Sequence, residues 1–144
     1  MNMFFLWQLG QLLEPALGRG RFALLYFAAM IGGSAGALAL SPNALTGGAS
    51  GAVFGLMAAA AVGLHQRGVN PMKTGIGGTL ILNLLITFTI PGISIGGHVG
   101  GALMGAAVGY AMLEPRWNRT ASWIAWAAPI VGMAVSIVFI AVFL

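Results

Sequence analysis

A chain of 144 residues that is 59% hydrophobic and only 6% charged is no ordinary soluble domain, since those carry about 25% charged residues. Its net charge of +4 comes from six Lys/Arg set against Glu14 and Glu114; the cations are scattered along an apolar chain, so they form no nucleic-acid patch and read as topology signals. Cys and Asp are both absent, which excludes disulfides, thiol nucleophiles and cysteine metal sites.

Six hydrophobic segments follow in chain order, at about 2–13, 21–40, 50–66, 74–90, 96–113 and 121–144. The breaks are Gly18-Arg19-Gly20, Ser41-Pro42-Asn43, Arg67 to Lys73, Pro91-Gly92 and Glu114 to Thr120, all turn formers or charges. At 1.5 Å per residue, five segments can cross all or most of a hydrocarbon core about 30 Å thick. The predicted fold class is all-α: one polytopic transmembrane helical bundle over 1–144, with about five full spans plus a partial first helix. The 23 glycines suit such a bundle, because small residues let membrane helices approach closely. The first segment would reach only about 18 Å. A helix opening inside hydrocarbon leaves its first amides without partners, so the expectation is that preceding residues are missing and that the chain alone is weakly active or inactive. With Glu14 as its first charge, the start also lacks the basic region of a signal peptide.

The charges orient the bundle. Arg19 and Arg21 lie in the first connection, Arg67 and Lys73 in the third, Arg116 and Arg119 in the fifth. The second and fourth connections, around Ser41–Ala49 and Pro91–Ile95, carry none. The positive-inside rule therefore makes the Arg/Lys end cytoplasmic and the other end outer. Trp123 and Trp126 are expected as belt residues at the inner interface. The sequon Asn118-Arg119-Thr120 falls on the inner side, where it is inert.

This topology puts Ser50 at the outer start of the third segment and His98 at the outer start of the fifth. Gly51, Gly55, Ala59 and Gly63 form one small-residue stripe, and Gly97, Gly101, Gly105 and Gly109 another; each polar residue adjoins the top of a stripe along which helices can meet. A serine hydroxyl becomes a useful nucleophile beside a base, and neutral imidazole serves near neutral pH. Within these residues a triad carboxylate is excluded, because Asp is absent and both Glu residues map to the inner side, leaving a Ser–His dyad. Oxyanion donors would be the Ser50 N–H and the amide of Asn2, at the outer end of the first segment. Each residue has a plainer reading: Ser50 as an N-cap, His98 as a packed, hydrogen-bonded histidine, Asn2 as an accident of the chain start, and His65 as interfacial. The Ser50 context is also not the hydrolase elbow, since Ala52 stands where that motif needs Gly. Their coincidence at one depth favours catalysis.

Gly48-Ala49-Ser50-Gly51, followed by Ala52-Val53-Phe54-Gly55, resembles the G-x-S-G signature of the rhomboid intramembrane serine proteases, which opens the fourth core helix. Gly97-His98-Val99-Gly100-Gly101 is similar to the family's sixth-helix histidine motif, with Gly101 and Gly105 as the glycine pair after it. Gly10-xxx-Glu14-xxx-Gly18 resembles the motif closing the second helix, which makes Glu14 a conformational anchor, and Asn2 fits the asparagine of the HxxxN motif. The resemblance covers residues 2–113, core helices two to six, with 121–144 as an extra helix. It implies a serine endopeptidase of the bacterial inner membrane that cleaves single-span membrane proteins within the lipid bilayer, without metal or cofactor. Ser50 attacks, His98 accepts and returns the proton, Ser50 N–H and Asn2 hold the oxyanion, and water enters from the outer side beneath the Pro91–Ile95 loop. In two respects the chain departs from the pattern: the HxxxN histidine, with the first helix and its outer loop, would precede Met1, and Phe54 stands where many bacterial members have Tyr. The rival readings are a non-catalytic relative that binds client helices, which would usually have lost the serine or histidine, and a small channel or carrier with His98 relaying protons. For the latter the helices offer little beyond Asn83, Thr87 and Thr89.

Overall fold

The computed structural model describes residues 2–40, 48–115 and 122–143. The Ser41-Pro42-Asn43 break, Arg116, Arg119 and the sequon at 118–120 lie outside the described residues. Within them run six helices: α1 (Asn2–Leu17), α2 (Arg19–Leu40), α3 (Gly48–Gln66), α4 (Ile76–Thr89), α5 (Ile95–Met112) and α6 (Ile124–Phe143). The bundle is all-helical. Three helices (α2, α3 and α6) are long and apolar enough to cross a membrane, and α4 is apolar but shorter.

The first helix runs past its predicted end at residue 13 and takes in Glu14 and Pro15. In the last turn a proline costs only one backbone hydrogen bond. Leu9, Leu13 and Leu17, at spacing four, are all buried and hold that turn to the core. The predicted three-residue break shrinks to Gly18 alone. Its φ of 78° turns the chain, its N–H donates to the Glu14 carbonyl at 2.7 Å, and Arg19 already begins α2. The left-handed conformation after a helix is the usual glycine terminator. With 16 residues, α1 is about 24 Å long.

The core is a trio of helices, α2, α3 and α5, with α1 against α2 and α3, α4 against α3 and α5, and α6 against α2 and α5. Its contacts are backbone on backbone. A β-carbon on Gly101 would land on the carbonyl oxygen of Gly51, one on Gly105 on that of Gly55, and one on Gly109 at 2.6 Å from Ala59 Cβ. The two predicted stripes therefore face each other in register. A third stripe, on α2, completes the contact: a β-carbon on Gly33 would lie 2.9 Å from the Gly97 oxygen and 3.3 Å from Gly51 Cα, while one on Gly100 would lie 2.7 Å from the Gly32 oxygen. On the periphery Leu82, Leu85 and Phe88 of α4, and Val131, Val135 and Val138 of α6, remain exposed, as lipid-facing positions should in a membrane bundle.

The cations described collect at the end remote from Ser50 and His98. The Arg21 guanidinium sits 5.6 Å from the Trp126 ring centroid, joining the starts of α2 and α6. Arg67 Nη1 donates to the Gly63 carbonyl at 2.9 Å, and Gln66 Nε2 donates to the Tyr110 carbonyl at 2.9 Å, joining the ends of α3 and α5.

Added bulk in the glycine seam has nowhere to go. Gly105→Leu and Gly101→Leu are expected to destabilise the bundle by at least about 1–3 kcal/mol, whereas Leu103→Ala, at a side chain 67% exposed, should change little. Thermal unfolding of the three variants in detergent checks this; equal midpoints would show that α3 and α5 do not pack through these residues.

Candidate active site

Ser50 lies in the first turn of α3 and is half-buried. The positive end of a helix dipole lies at such a terminus and favours developing negative charge. The first turn of α5 is fixed by Ser94, whose Oγ accepts from the Gly97 N–H at 3.0 Å and whose carbonyl accepts from the His98 N–H at 3.2 Å. That cap sets where His98 leaves the helix. His98 is 8% exposed.

Two neighbours hold its ring. Phe54, one turn beyond Ser50 on α3, stacks on the imidazole with centroids 4.0 Å apart and planes 18° from parallel. Thr87 Oγ1, from α4, lies 2.7 Å from His98 Nδ1. The same hydroxyl donates to the Asn83 carbonyl at 2.8 Å, and Asn83 Nδ2 donates to the Thr79 carbonyl at 2.8 Å. A line of polar groups thus climbs one face of α4 at spacing four and ends on the histidine.

A cavity of about 400 Å³ opens beside these groups, lined by Asn2, Ser50, Gly51, Phe54, Thr87 and His98 among others. Gly92, Ile93 and Ser94, from the connection before α5, also line it, so the loop expected to cover the site does border it. The remaining candidates sit elsewhere. Gly48 begins α3. Gly101 and Gly105 lie deeper, in the α3–α5 seam. Glu14 is exposed at the opposite end, where its backbone carbonyl accepts the N–H of Gly18. His65 is exposed at that end too, and Thr89 hydrogen-bonds its own helix at the Ile86 carbonyl, 2.9 Å away. Thr87 and Ser94 carry no motif. Sequence reasoning counted Thr87 only as a polar residue on a helix, although its spacing of four from Asn83 is the signal that could have marked it.

The arrangement brings a hydroxyl and an imidazole to one cavity, with an amide side chain on its wall, and these groups suit acyl transfer. No group of three or more His, Asp or Glu that could hold a metal occurs among the described residues.

Residues 1–115, which include α1 to α5 and every cavity residue named above, match the rhomboid domain. The chain is similar to the rhomboid protease GluP of Bacillus subtilis, with 31% identity over 141 residues, covering 96% of this chain and 28% of that protein. It is also similar to rhomboid-like protease 1 of Toxoplasma gondii, with 35% identity over 135 residues, covering 88% of this chain and 46% of the relative. The chain therefore spans less than half the length of either. No solved structure matches it. With the match running unbroken through the five helices that build the cavity, this chain belongs to the rhomboid family.

Proposed function

We propose that this chain is the catalytic core of an intramembrane serine endopeptidase, with Ser50 as nucleophile and His98 as general base. The observation that supports it most is the convergence of Asn2, Ser50 and His98, from three different helices, on the wall of one cavity. Ser50 Oγ attacks the scissile carbonyl of a membrane-protein substrate as His98 takes its proton. The resulting imidazolium then protonates the departing amine, and a water activated by the same histidine releases the acyl group. The oxyanion is held by the Ser50 N–H, at the positive end of α3, and by the Asn2 side-chain amide. Phe54 keeps the imidazole plane fixed through this cycle.

Because the described cations gather at the far end of the bundle, the cavity opens toward the outer side and water reaches it from there. The substrates are single-span membrane proteins, cut within or near the membrane segment. Both relatives are named as proteases, which agrees with this reading.

The test is cleavage of a single-span substrate by the full protein in proteoliposomes. Ser50→Ala and His98→Ala should each bring turnover to near background, and the double variant should be no worse than either, because nucleophile and base act as one unit. Cleavage that survives either change would falsify the mechanism. Wild-type protein and variants that all bind the substrate equally, with no cleavage by any of them, would point instead to a client-binding relative.

Asn2 makes a separate prediction. Asn2→Ala should lower kcat by about a hundredfold to a thousandfold, the usual loss on removing one oxyanion donor, with KM little changed. Steady-state kinetics on the same substrate measures it, and an unchanged kcat would remove Asn2 from the oxyanion site.

A further inference from the structure

The hydrogen-bond arithmetic around Thr87 determines which nitrogen of His98 carries the proton. A hydroxyl has one proton to give and two lone pairs to receive. Thr87 Oγ1 makes two short contacts, 2.8 Å to the Asn83 carbonyl oxygen and 2.7 Å to His98 Nδ1. A carbonyl can only accept, so the hydroxyl proton goes to Asn83. The contact with Nδ1 is then a hydrogen bond only if Nδ1–H is the donor. A neutral imidazole has a single N–H, which leaves Nε2 with the lone pair. The reverse polarity would break the bond to Asn83 and put the proton on Nε2, turning the intended base into a donor.

We propose that Thr87 is a positioning residue that holds His98 in its Nδ1–H tautomer and so presents Nε2 to Ser50 as the base. The inference rests on the Ser50–His98 reading above for its catalytic meaning, but the tautomer itself does not depend on it. Thr87 suits the task because it cannot easily turn away. It is 2% exposed, its β-branch restricts χ1, and bonding to the carbonyl four residues back pins the hydroxyl. The Asn83 carbonyl that receives its proton is backbone within α4 and is held by the helix itself. Phe54 fixes the tilt of the imidazole by stacking, and Thr87 fixes its rotation within that plane. In soluble triads a carboxylate performs this orientation. Here a neutral hydroxyl orients the ring without placing a second charge inside a membrane, where charge is expensive.

The test pairs a spectroscopic readout with kinetics on the full protein. With ¹⁵N-labelled histidine and His65→Asn to leave His98 as the only imidazole of these residues, the ring nitrogens should show Nδ1 protonated and Nε2 bare at a pH where the ring is neutral. Thr87→Val, which keeps the shape and loses the hydroxyl, should give a mixture of tautomers, and Thr87→Ser should restore the wild-type spectrum. Measured also in a Ser50→Ala background, the spectrum needs no turnover, so a failure of the dyad and a failure of the tautomer assignment are seen separately. Kinetically, Thr87→Val should lower kcat about 10- to 100-fold with KM unchanged, less than the roughly 10²- to 10⁴-fold that general acid–base catalysis as a whole contributes, because the base is misoriented and not removed, and Thr87→Ser should recover most of it. A wild-type ring protonated on Nε2 would overturn the proposal. So would a Thr87→Val protein with an unaltered spectrum and rate. Should Thr87→Val fail to fold, Thr87→Ala removes the same hydroxyl and is read in the same way, and a wild-type ring protonated on Nε2 overturns the proposal without any variant.

Discussion

Where Gly101 and Gly105 meet the carbonyls of Gly51 and Gly55, the backbones of α3 and α5 touch with no side chain between them. Lipid tails are as apolar as leucine, so no hydrophobic force drives these helices together. Their association rests on van der Waals contact over as much backbone as can be brought near. That contact fixes more than stability. Ser50 precedes Gly51 and His98 follows Gly97, and a β-carbon on Gly51 would lie 2.8 Å from the Gly97 oxygen. The nucleophile and base candidates are thus each one residue away from a close backbone contact of the seam, and any slip in helix register would carry them apart.

The bundle divides its labour accordingly. The close-packed trio carries Ser50, His98 and the stacking Phe54. Asn2 and Thr87 come from α1 and α4, which pack on the outside of that trio. Catalytic constellations tolerate little misplacement, and in the mechanism proposed above the trio fixes Ser50 and His98 while the packing of α1 and α4 on it places the Asn2 amide and the Thr87 hydroxyl. The α4–α5 connection, which carries Gly92, Ile93 and Ser94 to the cavity edge, belongs to the outer layer as well. Its Ser94 nevertheless caps the helix that bears His98, so it is tied to the centre at one point.

Much of this was legible in the residues. The order and approximate limits of the helices followed from apolar runs and charged breaks, and the facing stripes of α3 and α5 from glycines at spacing four. What escaped did so for physical reasons. The α2 stripe at Gly32, Gly33 and Gly36 escaped because the polar residue beside it, Ser34, is exposed and bonds the Met30 carbonyl of its own helix, so it does not mark the face that turns inward. The extension of α1 through Pro15 is a tertiary effect: burial of Leu17 outweighs the lost hydrogen bond in a last turn. Thr87 was legible only as one of a few polar residues on a helix, and its hydroxyl does donate to the Asn83 carbonyl of that helix. That its second lone pair meets an imidazole depends on how α4 leans on α5, and no local pattern encodes a lean.

The shortness of α4 has a consequence for the surrounding lipid. Fourteen residues extend about 21 Å, against a hydrocarbon layer of about 30 Å. A bilayer commonly meets so short a segment by thinning beside it, at a cost of fractions of a kcal/mol for each ångström of mismatch. The side of the protein that holds Thr87 against His98 is therefore one where hydrophobic mismatch would bear on the surrounding acyl chains. Over several ångströms that cost is comparable to the worth of a hydrogen bond, so acyl-chain length becomes a thermodynamic variable of the fold: short-chain lipids relieve the mismatch at α4, and long-chain lipids load it.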